Sequence, residues 1–187
     1  MTRFTVLVAA PEPGSPLRAA AAEAARTLAA LVGPVGSSAA APREGSPTGA
    51  DRTDVVDLAA LGPALLAARP GRDVVEALET VRRSDVLLVA TPQAHGSYTG
   101  LLKVFLDRLP EVGLGHGVAV PMAVVEDLRN GRTVEDDLRV LLADLGSWVL
   151  EPGLLLSRRE LAEPRGVVAA WAEVAAPALG QALAVRA

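Results

Sequence analysis

Residues able to do chemistry crowd into one stretch, "TPQAHGSYTGLLKVFLDRLP" from Thr91 to Pro110, which holds the chain's only Tyr, its only Lys and one of its two His. Gly96 and Gly100 let backbone approach a flat ligand closely, and the first N–H groups of a helix starting here, with Ser97 as its cap, would point to the same place. Pro92, Gln93, Ala94, His95, Gly96 and Ser97 thus make a candidate edge for a planar, electron-rich ring. His95 is the stretch's one candidate acid or base, although a lone loop His is more often solvated or hydrogen-bonded than catalytic. A second set lies in "APEPGSPLRA", where Ser15 and Arg18 offer a hydroxyl and a cation; their ordinary roles would be a helix cap and a solvated side chain.

Other clusters have plainer readings. Lys103 and Asp107 stand four apart on an expected helix, where a surface ion pair contributes about 0.3–0.5 kcal/mol. Glu135, Asp136 and Asp137 fall near an expected helix start, where negative charge is favourable without any metal. Trp148 and Trp171 read as packing residues, and His116 in "LGHGV" as a loop residue. The absence of Cys excludes disulfides, cysteine-ligated zinc and thiol catalysis, so redox chemistry would need a borrowed cofactor. With no Ile, one Asn and seventeen Arg to one Lys, the chain shows a GC-rich coding bias that makes Lys103, Tyr98 and Phe105 stand out.

A net charge of −4 offers no basic excess, so nucleic acid is not an expected partner. No apolar stretch reaches the roughly 18 residues of a bilayer span and the amino terminus lacks a secretion signal, which leaves no expected membrane and a cytoplasmic location as the default. At 187 residues, one domain covering 1–187 is expected, interrupted by an aperiodic Gly, Pro and Ser-rich stretch from Gly33 to Arg52 that reads as a mobile loop.

The elements that must hold the candidate residues alternate. "RFTVLVAA" reads as a buried strand, and "LRAAAAEAARTLAALV" as a helix with Pro16 at its first position and Ser15 as cap. "TDVVDLAAL" follows as a strand and "RDVVEALETVRRS" as a helix, then Val86–Ala90 as a third strand, apolar throughout as in a sheet covered on both faces. A helix over Thr99–Leu109 presents Leu101, Leu102, Phe105, Leu106 and Leu109 on one face before Pro110. "GVAVPMAVV" is a fourth strand, "VEDDLRVLLADLG" a helix, "WVLEPGLLL" a fifth strand, and "VVAAWAEVAAPALGQALAV" a closing helix with Pro177 inside it. Five strands alternating with five helices predict an α/β three-layer sandwich, a five-stranded parallel sheet in the flavodoxin-like order 2-1-3-4-5. Its ligand would lie where the winding reverses, between the loops at Ala10–Leu17 and Pro92–Gly100, with Glu126–Gly131 alongside.

The third-strand motif, with Thr91, Pro92, Gly96, Ser97, Tyr98, Gly100, Leu102, Lys103, Leu106 and Asp107 in place, resembles that of the NAD(P)H-dependent FMN reductases of the flavodoxin-like superfamily. The order of elements agrees over nearly the whole chain. The resemblance implies an oxidoreductase that passes hydride from NADH or NADPH to FMN, with Pro92–Ser97 along the isoalloxazine ring and the first loop at the phosphate. It also implies a homodimer or homotetramer built on the Thr99–Leu109 helix, and reduced flavin handed to a monooxygenase or a small-molecule electron acceptor.

Three departures point another way. "APEPGSPLRA" places three prolines and Glu12 where the family offers hydroxyls around the phosphate, Ala94 replaces an aromatic residue, and "EDLRNG" puts two carboxylates after the fourth strand. The alternative they support is a degenerate flavodoxin-like protein with weak or no flavin binding, acting as an interaction or structural partner. A flavodoxin-like one-electron carrier would need a Ser/Thr-rich loop and flanking aromatics that this sequence does not offer.

Overall fold

Side chains that alternate along three central strands build two separate cores. In β1 (Phe4–Val8), β3 (Val86–Pro92) and β4 (Val118–Val125), Val6, Val8, Leu88, Ala90, Val120 and Met122 are buried on one face, and Leu7, Leu87, Val89, Ala119 and Ala123 on the other. Strand side chains point to opposite faces with a period of two, so an unbroken apolar run demands cover on both sides. The computed structural model describes residues 2–33, 53–115 and 117–186. All but the first residue of the expected mobile loop, and His116, lie outside them.

Helices α1 (Pro16–Val32) and α7 (Arg165–Arg186) cover the first face, through Leu17, Ala21, Ala24 and Leu28 of one and Val168, Trp171, Ala175, Leu179 and Leu183 of the other. Helices α3 (Arg72–Arg82), α4 (Gly100–Leu106) and α5 (Gly131–Asp144) cover the second, with Val74, Val81, Leu102, Phe105, Leu106, Val134, Leu138 and Leu142. Fully burying each such Leu, Val or Phe contributes about 1.5–3 kcal/mol. The apolar face of α4 is therefore spent in the chain's own core. Helix α7 is long and apolar enough by length and composition to cross a membrane, longer than the sequence reading allowed. One of its faces instead lies in the core beside α1.

The sheet is parallel, in the order β2-β1-β3-β4-β5, where β2 is Thr53–Asp57 and β5 Trp148–Val149. This is the expected flavodoxin-like winding, with a sixth strand added: β6 (Leu154–Ser157) also pairs with β4. "WVLEPGLLL" is thus not one strand but two, and the cause lies in two prolines. Ala119 accepts the Leu150 N–H on the β5 side at 2.8 Å, so by strand alternation Pro121 turns its missing N–H to the same side, between the segments paired with β5 and with β6. Facing that gap, Pro152 has no N–H either, and the chain arches over it.

The arch is held from α5. Glu135 accepts the Gly153 N–H at 2.8 Å, while Arg139 is paired with Asp136 and, at 2.6 Å, with Glu151. The hydrogen bond and charge of Glu151, then those of Asp136, hold the Arg139 guanidinium above its usual pKa. The acidic cluster therefore sits in the second turn of α5, not at its start, and staples a loop; among the described residues no three His, Asp or Glu side chains gather as a metal site.

Smaller differences have local causes. "TDVVDLAAL" is strand only to Asp57, whose carboxylate accepts the Ala59 N–H at 3.2 Å and so starts the short α2 (Leu58–Leu61). A further short helix, α6 (Arg158–Ala162), begins with a reciprocal Ser157–Glu160 capping box. Trp171 packs as expected and donates its indole N–H to the Pro152 carbonyl at 2.9 Å, but Trp148 is 62% exposed and packs little. An edge strand two residues long leaves its side chain no second layer.

A Cβ added at Gly153 would stand 2.9 Å from the Pro121 carbonyl oxygen and 3.0 Å from Glu135 Oε1. Gly153→Ala should cost about 1–3 kcal/mol, because backbone cannot yield cheaply, and lower the thermal midpoint by several degrees in a melt followed by circular dichroism.

Candidate functional site

At the carboxyl end of the sheet β3 outruns β1. Their pairing stops at Val8 and Ala90, whereas β3 continues beside β4 to the pair Pro92 and Val124. The step leaves a mouth over Ala9 and Ala10, between the first loop and the loop after β3. This is where the winding reverses, the place at which an open parallel sheet binds ligands.

Two threonines close the floor of that mouth. The buried Thr91 hydroxyl donates to the Pro92 carbonyl at 3.0 Å and accepts the Thr99 N–H at 3.2 Å. Thr99 in turn donates its own hydroxyl to the Ala9 carbonyl at 2.9 Å and accepts the Leu102 N–H at 3.4 Å. Thr99 is therefore the N-cap of α4, not Ser97 as the sequence suggested, and it also fastens the loop after β3 to the end of β1.

Above the threonines the chain makes a tight hairpin. Ala94 and Ser97 exchange backbone hydrogen bonds of 2.8 and 3.1 Å, and the two residues between them have positive φ, 51° at His95 and 91° at Gly96. Positive φ at both central residues is the signature of a type I′ turn, which Gly favours at its second position. The Gln93 N–H extends the sheet to the Val124 carbonyl at 2.8 Å. Of the candidate residues 92–97, Pro92 has no N–H and Gln93, Ala94 and Ser97 have theirs engaged, so the main-chain donors that remain are those of His95 and Gly96. Neither meets an acceptor among the described residues, and a Cβ at Gly96 would find nothing within 4 Å. His95 itself is exposed, with no partner fixing it as an acid or base among the described residues.

The first loop brings Ser15 and Arg18 to the same end of the sheet. Ser15 holds the cap position of α1 with Pro16 behind it, yet its hydroxyl caps nothing: the oxygen is shut off from solvent and has no hydrogen-bond partner among the described residues. A buried polar atom left unpaired carries a cost that a bound group can relieve. Arg18, half exposed, lies with its Nε 4.0 Å from Asp57 Oδ2. The same Asp57 oxygen accepts the Gly14 N–H at 2.9 Å, an anchor that the sequence reading passed over because Asp57 looked like one more strand residue.

The acidic loop after β4 is less hostile to a developing negative charge than its sequence suggests. Glu126 pairs with Arg158 at 2.5 Å and Asp127 with Arg129 at 3.0 Å. The Arg129 side chain, and then its backbone N–H, hold the Asp127 carboxyl below its usual pKa. Each carboxylate faces an arginine from its own end of the sheet. Lys103 and Asp107 form the expected ion pair on the exposed side of α4.

Fold and site together define a flavodoxin-like protein whose polar contacts gather at the switch point of a doubly wound sheet. The chain belongs to the NADPH-dependent FMN reductase family, whose model matches residues 2–160. It is 30% identical over 88 residues to an FMN reductase (NADPH) of Pseudomonas putida, covering 47% of this chain and 45% of that protein. It is also 30% identical over 112 residues to the NADH-dependent FMN reductase SfnE of the same species, 60% of each chain. The matched stretches span about half the length of these relatives. Among solved structures, the apo form of the NADH:FMN oxidoreductase EMOB superposes with a TM-score of 0.76 at 22% identity, over 97% of this chain and 90% of that one.

Replacing Thr99 by Ala removes both the cap of α4 and the tie to Ala9. Loss of a cap costs about 0.5–2 kcal/mol, and the freed loop should show faster amide exchange at residues 93–99 than in the parent, with the central strands unchanged.

Proposed function

We propose that this chain is a flavin reductase that binds FMN at the mouth between β1 and β3 and reduces it with NADH or NADPH. The observation that carries the reading is the turn at His95 and Gly96, whose two amides meet no acceptor among the described residues, together with the buried Ser15 hydroxyl of the first loop, which also lacks a partner among them. These residues fit the group. The His95 and Gly96 amides hold the polar edge of the ring, with Gln93 alongside, while Pro92, Ala94 and Ser97 keep the turn in shape. Ser15 and Arg18 receive the tail.

When bound, FMN supplies a two-electron acceptor at its N5 position for hydride leaving nicotinamide C4, with one proton drawn from water. The protein's part is placement: it presents a flat, open turn on which two rings can stack, and it needs no side chain as acid or base. Thr91 and Thr99 keep that turn at a set distance from the first loop. Glu126 and Asp127, each held by an arginine, leave the mouth without an unpaired carboxylate on that side.

The same reading includes a homodimer or homotetramer formed through α4. It is supported by a groove of about 640 Å³ between α4 and α5, lined by Tyr98, Lys103, Asp107 and Val140 among others. A cytoplasmic setting, and release of reduced FMN to a monooxygenase or a small-molecule acceptor, complete the proposal. The loosely furnished first loop suits a flavin that exchanges.

Purified protein titrated with FMN should quench flavin fluorescence saturably and oxidise NADH or NADPH only when FMN is added. No binding and no turnover would overturn the reading. Gly96→Val should weaken FMN by at least about tenfold and also lower the thermal midpoint by a few degrees: its Cβ would meet no protein atom within 4 Å, but a β-branched residue is strained at a φ of 91°.

A further inference from the structure

We propose that Asp57 sets the flavin specificity of this site: it takes for itself donors that a terminal phosphate would use, so that riboflavin is accepted nearly as well as FMN. The inference rests on the flavin reading above and deepens it. Its geometry is that of an anion already in residence. The Asp57 side chain is only 11% exposed, and its Oδ2 accepts the Gly14 N–H at 2.9 Å and stands 4.0 Å from Arg18 Nε. Oδ1 accepts the Ala59 N–H, which anchors the carboxylate from its other side.

Part of the loop's donor supply is already spent. Pro11, Pro13 and Pro16 have no N–H, the Gly14 N–H is given to Asp57, and the Arg18 N–H turns back to the Ser15 carbonyl at 2.9 Å, which leaves the main-chain N–H groups of Glu12, Ser15 and Leu17. Arg18 is the loop's one cation, and a phosphate reaching it would come within ion-pair range of Asp57 as well, like charge against like. A ribityl chain ending in a hydroxyl meets no such opposition. It carries no charge and can donate to the Asp57 carboxylate. Asp57, Arg18 and Gly14 also line a groove of about 580 Å³ that runs along β2 toward Glu76 and Thr80.

The test is the ratio of the dissociation constants for riboflavin and FMN, read from flavin fluorescence in the parent protein and in Asp57→Asn, Asp57→Ser and Arg18→Gln. Asn and Ser both cap helices well, so α2 keeps its start in either variant, and thermal melts confirm folding. The parent should bind the two flavins within about threefold of each other, and loss of the Asp57 charge should shift the ratio toward FMN by about tenfold, the size of one charge-assisted contact. Combining Arg18→Gln with Asp57→Asn should erase that gain. A parent that prefers FMN by more than about thirtyfold, or a ratio unmoved in both Asp57 variants, would overturn the proposal. FMN binding without riboflavin binding would defeat this inference alone; binding of neither would defeat the flavin reading too. If an Asp57 variant fails to fold, the parent ratio still decides.

Discussion

The site hangs on one hydroxyl. Thr99 donates to the Ala9 carbonyl while accepting the Leu102 N–H, and so joins three things at once: the end of β1, the loop after β3 and the first turn of α4. Thr91, buried beneath it, adds a second link through the Thr99 N–H. Polar groups at a strand end cannot be left dry and unpaired without cost, so this network gives the mouth a single shape in which every buried member is satisfied. The hairpin at His95 and Gly96 is displayed from that base.

A mildly acidic protein has a difficulty in binding electron-rich ligands, and here it is met by local pairing. Around the mouth, Glu126 has Arg158, Asp127 has Arg129, and Asp57 has Arg18 with the Gly14 N–H. Exposed pairs of this kind contribute little to stability, about 0–1 kcal/mol each, so their value lies in the field they cancel. Asp57 differs from the other two. It is largely shielded from water, and its partners belong to the loop that faces the ligand's tail.

Far from the mouth, the outer edge of the sheet shows how two missing N–H groups shape a fold. Pro121 and Pro152 face a gap that no ladder hydrogen bond can bridge, so the last strand divides, and Glu135 takes up the stray Gly153 amide. The β6 segment then returns to β4 and runs into α6, which brings Arg158 to the end of the sheet beside Glu126. A break at one edge thereby supplies a charge at the mouth.

Much of this was legible in the sequence. The apolar runs at Val86–Ala90 and Val118–Val125 required a doubly covered sheet, since no one-faced strand is apolar at every position, and the strand order followed from right-handed crossovers. The crowding of Gly96, Ser97 and Tyr98 after the third strand marked the loop at the mouth, and with the neighbouring positions it carried the family resemblance. Local pattern could not say that Thr99 and not Ser97 caps α4, that Trp148 ends up exposed, or that one expected strand is two. Each of these depends on what stands opposite in space. The partners of Thr99 and Asp57 lie 90 and 43 residues away, at Ala9 and Gly14, and those of Glu126 and Glu135 arrive only when β6 folds back. Composition and periodicity determine which surfaces must be buried; which hydroxyl, amide or arginine meets which carboxylate is decided by the pairing of distant strand ends, and only the folded chain brings those together.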